Sequence, residues 1–196
     1  MKPKVILNEE NFPDANFRKA LATWLGISDG DEITYAMIQQ TTELDVSRSR
    51  ISTLNGVEHF TALKKLYCSS NQLTSLDVSQ NTALTMLWCH NNQLSSLDVS
   101  KNIALRGLWC NNNQLTALDV SKNTKLELLS CTNNQLTKLD LLNNTALTGL
   151  NCYGNHLTYF DLTEQKNLLF VIIDSDTIVD RQRNFNKDLR IIRRYR

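Results

Sequence analysis

At 196 residues, with 41% apolar side chains, two prolines and six glycines, the chain is long enough for a buried core and too apolar for a disordered linker. The net charge is only +1, unevenly spread: residues 181–196 hold Arg181, Arg183, Lys187, Arg190, Arg193, Arg194 and Arg196 against Asp188, a net +6 that leaves −5 for the rest. No stretch approaches the roughly 20 apolar residues of a membrane span. The start, MKPKVILNEENFP, holds an apolar run of only three residues and does not read as a signal peptide, so the sequence is taken either as intracellular or as a mature or trimmed form.

The first element is FPDANFRKALATWL, Phe12 to Leu25, whose spacing predicts a helix. Asp14, just after Pro13, caps its start. Phe17, Leu21, Trp24 and Leu25 share one face, which assigns Trp24 to packing. The following GISDGDEITYAMIQQ predicts a turn and a second short helix. Residues 1–40 are therefore expected to form an N-terminal helical cap.

Residues 41–176 are a repeat. Leu66, Leu87, Leu108, Leu129 and Leu150 are 21 residues apart, as are Cys68, Cys89, Cys110, Cys131 and Cys152, and Asn71, Asn92, Asn113, Asn134 and Asn155. Val171, Ile173 and Asp176 continue the three columns, and LDVSRSRISTL, Leu44 to Leu54, is an earlier unit. A unit this short cannot bury its own apolar side, so neighbours must stack. Within LWC, Leu87 and Cys89 point inward while Met86, Trp88 and His90 point outward, as strand alternation requires. The asparagine column satisfies backbone groups where the chain turns. The return segments, LTSLDVS and its copies, place Leu76, Leu97, Leu118, Leu139 and Phe160 inward, with the aspartates between them outward or at the turn. The five cysteines fill one inward column that also accepts Val46 and Ile173. In-register neighbours about 4.8 Å apart exceed disulfide reach, so the thiols are read as free and buried. Residues 177–196 form a C-terminal cap or tail, in which Phe185, Leu189 and Ile192 have near-helical spacing.

The pattern L-x-x-L-x-C-x-x-N-x-L, plain in ALTMLWCHNNQL, resembles the leucine-rich repeat family, with cysteine where another leucine is usual. FPDANFRKAL resembles the cap that precedes such repeats in secreted or surface-attached bacterial proteins. The resemblance implies an α/β solenoid: a right-handed horseshoe or arc, a parallel sheet on the concave face, mostly extended or turn segments on the convex face, and a helical N-terminal cap. It also implies a secreted or cell-surface location and a recognition role on the concave side. Relatives of that cap often carry a calcium loop. Here Gly26, Ser28 and Gly30 fall at its first ligand positions and Met37 where a bidentate acid is needed, so no calcium site is expected.

On the outward columns, Tyr67, Trp88 and Trp109 form an aromatic ladder, Met86 and Leu128 extend its apolar area, and His90, Asn111, Thr132 and Tyr153 give a polar rim. Such a rimmed apolar patch is the usual look of a binding site for a protein, peptide or glycan. The alternative is a structural repeat spacer of a larger surface protein, in which the aromatics only pack across neighbouring strands. His59, His90 and His156 lie in different units and columns, and no nucleophile elbow, phosphate loop or H-E-x-x-H occurs, so no enzyme, catalytic residue, cofactor or metal site is expected. Lys65 is the one cation read on the concave columns, against Glu43, Asp45 and Asp174, which argues against nucleic acid. A monomer is favoured.

Overall fold

The computed structural model describes residues 4–180 and 189–195. In chain order it contains β1 (Val5–Ile6), α1 (Ala15–Leu25), β2 (Glu32–Ile33), α2 (Tyr35–Gln40) and β3 (Glu43–Asp45), then β4 (Lys65–Tyr67), β5 (Met86–Trp88), β6 (Gly107–Trp109), β7 (Leu128–Ser130) and β8 (Gly149–Asn151). β9 (Tyr159–Asp161), β10 (Phe170–Asp174), β11 (Ile178–Asp180) and β12 (Arg190–Arg194) follow, and a 3-10 turn, Val57–His59, lies between β3 and β4. Among the described residues, a parallel sheet of eight strands in the order β12-β10-β8-β7-β6-β5-β4-β3 lines the concave face of a right-handed solenoid.

Each coil is held by the same interactions. Leu66, Leu87, Leu108, Leu129 and Leu150 and all five cysteines are buried, and the cysteines are free. Burial pushes the Cys68 and Cys131 thiols up to about 12 and the other three well above the ordinary value. The asparagine column behaves as its position predicts. Asn113 donates from Nδ2 to Cys89 O (3.1 Å) and Cys110 O (3.0 Å) and accepts from Leu94 N (3.0 Å), which ties successive stretches of backbone together. The aspartates of the return segments are exposed, and each accepts a backbone N–H two residues on, as Asp98 does from Ser100 (2.8 Å).

A second asparagine column runs along the convex side. Asn81, Asn102, Asn123 and Asn144 are fully buried. Asn102 donates to Val78 O and Asn81 O, both at 2.9 Å, and Asn123 repeats this one coil on, to Val99 O (3.0 Å) and Asn102 O (2.9 Å). In the next coil after Asn144, Gln165 takes the position and reaches Leu141 O at 2.6 Å. A third row, Asn91, Asn112 and Asn133, is left-handed (φ 56, 54 and 52°), with side-chain amides bonded in series at 2.7 Å. Gly154 ends that row: its φ is +72°, and a Cβ there would crowd the Asn133 amide, 3.2 Å from its Cγ.

Four expectations are corrected. Trp24 does not pack inside; it is 45% exposed, while Phe17 and Leu21 on the same helix are buried. Leu25 packs partly against the core, so the covered stripe of α1 runs through Phe17, Leu21 and Leu25 and leaves Trp24 at its edge. The role at the end of the asparagine column passes to Asp174, not Asp176: the buried Asp174 carboxylate accepts from Gly154 N and Asn155 N, both at 3.2 Å, so it does not face outward on the concave columns. Leu189 and Ile192 do not lie on a helix, because residues 190–194 form β12, which continues the sheet beside β10. Phe185 lies outside the described residues. Finally, Leu139 is half-buried, unlike its counterparts Leu76, Leu97, Leu118 and Phe160.

Candidate functional site

Parallel register sets the concave face. Tyr67 pairs with Trp88, Trp88 with Trp109, Trp109 with Ser130, and Ser130 with Asn151. Identical pleating then points these side chains the same way. The rings touch: Tyr67 and Trp88 meet edge to face with centroids 4.9 Å apart and planes at 80°, and Trp88 and Trp109 are 5.2 Å apart at 60°. All three residues are half-buried. The Trp88 indole Nε1 is covered and has no hydrogen-bond partner among the described residues, so at this ring the surface presents carbon rather than N–H.

Gly107 decides how Trp109 lies. A Cβ at Gly107 would fall 2.7 Å from Trp109 Cη2, so the six-membered ring rests on bare backbone. Met86, in register with Gly107, is half-buried, and Leu128, on its other side, is exposed. The sequence-predicted residues Tyr67, Met86, Trp88, Trp109 and Leu128 thus come together on one surface.

The rim is more internally bonded than its composition suggests. Asn111 Oδ1 accepts from Ser130 Oγ (3.4 Å), Thr132 Oγ1 donates to Asn151 O (3.3 Å), and Tyr153 Oη donates to Tyr195 O (2.8 Å). His90 sits 6.1 Å from the Trp88 ring; burial lowers its pKa from the ordinary 6.5, which keeps it neutral at physiological pH.

Sequence reasoning misses two neighbours of this surface. Trp24 borders its N-terminal end, in a groove of about 670 Å³ lined by Asn16, Lys19, Thr23, Asp45 and Ser49. Phe170, 38% exposed, stands at its C-terminal end, and its outward column position is the signal that could have found it. On the convex side a separate cleft of about 460 Å³ lies between residues 137–142 and 158–165, with Leu142 and Tyr159 exposed at it. It lacks the run of ring contacts found on the concave face.

Residues 61–102 match the family described as Leucine Rich repeats (2 copies). Over 70 residues the chain is 42% identical to Internalin J of Listeria monocytogenes serotype 4b (strain F2365), a match that covers 36% of this chain and 8% of that protein. The solved functional domain of InlJ from Listeria monocytogenes, described as including a cysteine ladder, superposes with a TM-score of 0.85 at 38% identity, covering 91% of this chain and 40% of that one. Internalin C2 from the same species shares the fold, with a TM-score of 0.78 at 20% identity over 97% of this chain and 98% of the other. The chain therefore spans less than half the length of the relatives it matches in sequence.

Proposed function

Since the chain belongs to the leucine-rich repeat family, with cysteine-containing repeats and an N-terminal cap of the internalin type, we propose that it is an extracellular, non-catalytic recognition module that binds a protein or peptide through its concave aromatic face. The carrying observation is the contiguous Tyr67–Trp88–Trp109 ladder, continued by Met86 and Leu128. Its planes stand at 80° and 60° to one another, which offers notches for side chains rather than the flat platform on which a sugar face stacks. Buried aromatic anchors of this kind dominate binding energy in protein interfaces.

The test is selection from a random-peptide display library, with a glycan array in parallel, against the chain and its Trp88→Ala/Trp109→Ala variant. Circular dichroism and thermal unfolding establish that the variant is folded. Loss of one hot-spot residue costs about 2 kcal/mol or more, so selected peptides are expected to bind the double variant at least about 30-fold more weakly. If the variant only loses stability and binds as before, the rings are sheet packing and the chain is a repeat spacer. Selection of glycans alone would move the reading to a carbohydrate ligand.

A further inference from the structure

The aromatic ladder occupies the N-terminal part of the concave face, yet the more exposed apolar residues lie further along it: Leu128 at 36%, Phe170 at 38% and Ile192 at 44%. Register brings them together. Leu128 pairs with Gly149, and Gly149 with Phe170. A Cβ at Gly149 would lie 2.6 Å from Phe170 Cε1 and 2.8 Å from Leu128 Cδ2, so the ring and the leucine meet over a position with no side chain. β12 then extends the strip, since Phe170 pairs with Arg190 and Ile172 with Ile192.

Alternation along β12 puts Arg190, Ile192 and Arg194 on one side and Ile191 and Arg193 on the other. Arg193 is occupied: its guanidinium donates to Ser175 O (2.9 Å) and Thr177 O (2.8 Å). Arg190 and Arg194 are exposed, and neither makes an ion pair among the described residues. At the far end of the sheet Lys65 is matched by Glu43 at 3.0 Å. The unmatched positive charge of the strip is therefore at β12, on both sides of Ile192.

We propose that Leu128, Phe170 and Ile192, bracketed by Arg190 and Arg194, form a second half of the recognition surface, which takes a protein segment whose carboxylates flank apolar side chains. This rests on the concave face being the recognition surface. The apolar strip supplies burial, and the two guanidiniums supply charge complementarity and the fork geometry that suits carboxylates. A planar bilayer cannot follow the inner side of an arc, whereas an extended or convex protein segment can.

The same random-peptide library is selected against the full chain and against Arg190→Glu/Arg194→Glu, with circular dichroism as the check on folding. Peptides from the unaltered chain should place Asp or Glu beside apolar residues, and those from the charge-swapped variant should place Lys or Arg there. An acidic peptide from the first selection should lose about tenfold or more in affinity for the variant, the effect of reversing close charge pairs. Selections that carry no acidic residues, or that do not change with the swap, overturn the proposal. If such peptides still depend on Trp88 and Trp109, the recognition reading survives and only this extension fails; if they depend on neither pair, both fail. Swap-sensitive binding to vesicles of phosphatidylcholine with phosphatidylserine, without acidic peptides, would overturn it in favour of a lipid surface.

Discussion

Replacing Asn134 with alanine removes its three shorter side-chain bonds at once, besides a longer one to Thr132 O (3.4 Å). Its Nδ2 donates to Cys110 O (3.1 Å) and Cys131 O (2.9 Å), and its Oδ1 accepts from Leu115 N (3.0 Å). The side chain is buried, so water cannot readily replace it. At a net of about 0.5–1.5 kcal/mol for each bond, the loss is about 2–4 kcal/mol. For a chain of this length each kcal/mol moves the midpoint by about 2–4 °C, so Tm should fall by roughly 5–15 °C. Asn112→Gly is the control. Asn112 is exposed at φ 54°, where glycine is at ease, and among the described residues its side-chain bonds run to its neighbours in the surface row. Its change should stay within about 1 kcal/mol. Thermal and urea unfolding followed by circular dichroism measure both variants. Equal shifts, or a fall below about 2 °C for Asn134→Ala, would refute the assignment of stability to the inner asparagine column.

Two further outcomes concern titration. Burial raises the Cys131 thiol from its ordinary 9.0 to about 12, so the folded state holds that proton where the unfolded chain releases it. This contribution to stability is complete below pH 9.0 and declines as pH rises toward about 12; Cys131→Val should flatten the decline in alkaline unfolding curves. Asp14 behaves in the opposite sense. Burial alone would raise its carboxyl, but bonds from the Ser52 hydroxyl and from the Ser52, Phe17 and Thr53 N–H groups outweigh burial and hold it below its ordinary 3.8. Its contribution is present above that value and is lost as pH falls below it, and Asp14→Ala should cost about 1–3 kcal/mol in chemical unfolding at about pH 7 while removing part of the acid dependence.

The aromatic ladder is legible in the sequence because Tyr67, Trp88 and Trp109 share one phase of a fixed period, and alternation converts phase into a face. The convex column Asn81, Asn102, Asn123 and Asn144 has the same period, but nothing local in N-T-A-L or N-I-A-L says that the amide turns inward to the preceding coil. Trp24 escapes the reading because apolar spacing on a helix shows a shared stripe, not how far the neighbouring element extends over it. Ile192 escapes it because three apolar residues in a short basic stretch suit either a helix or a strand.

Period, inward columns, free thiols and the outward position of the indoles are properties of the sequence, because a repeat of 21 residues must use each position alike in every coil. The tilt of the rings over Gly107 and Gly149, the exposure of Trp24, and the joining of β12 to β10 were decided only by tertiary structure. Each depends on what lies across the gap from a residue, which at the two ends of a solenoid is no longer another copy of itself.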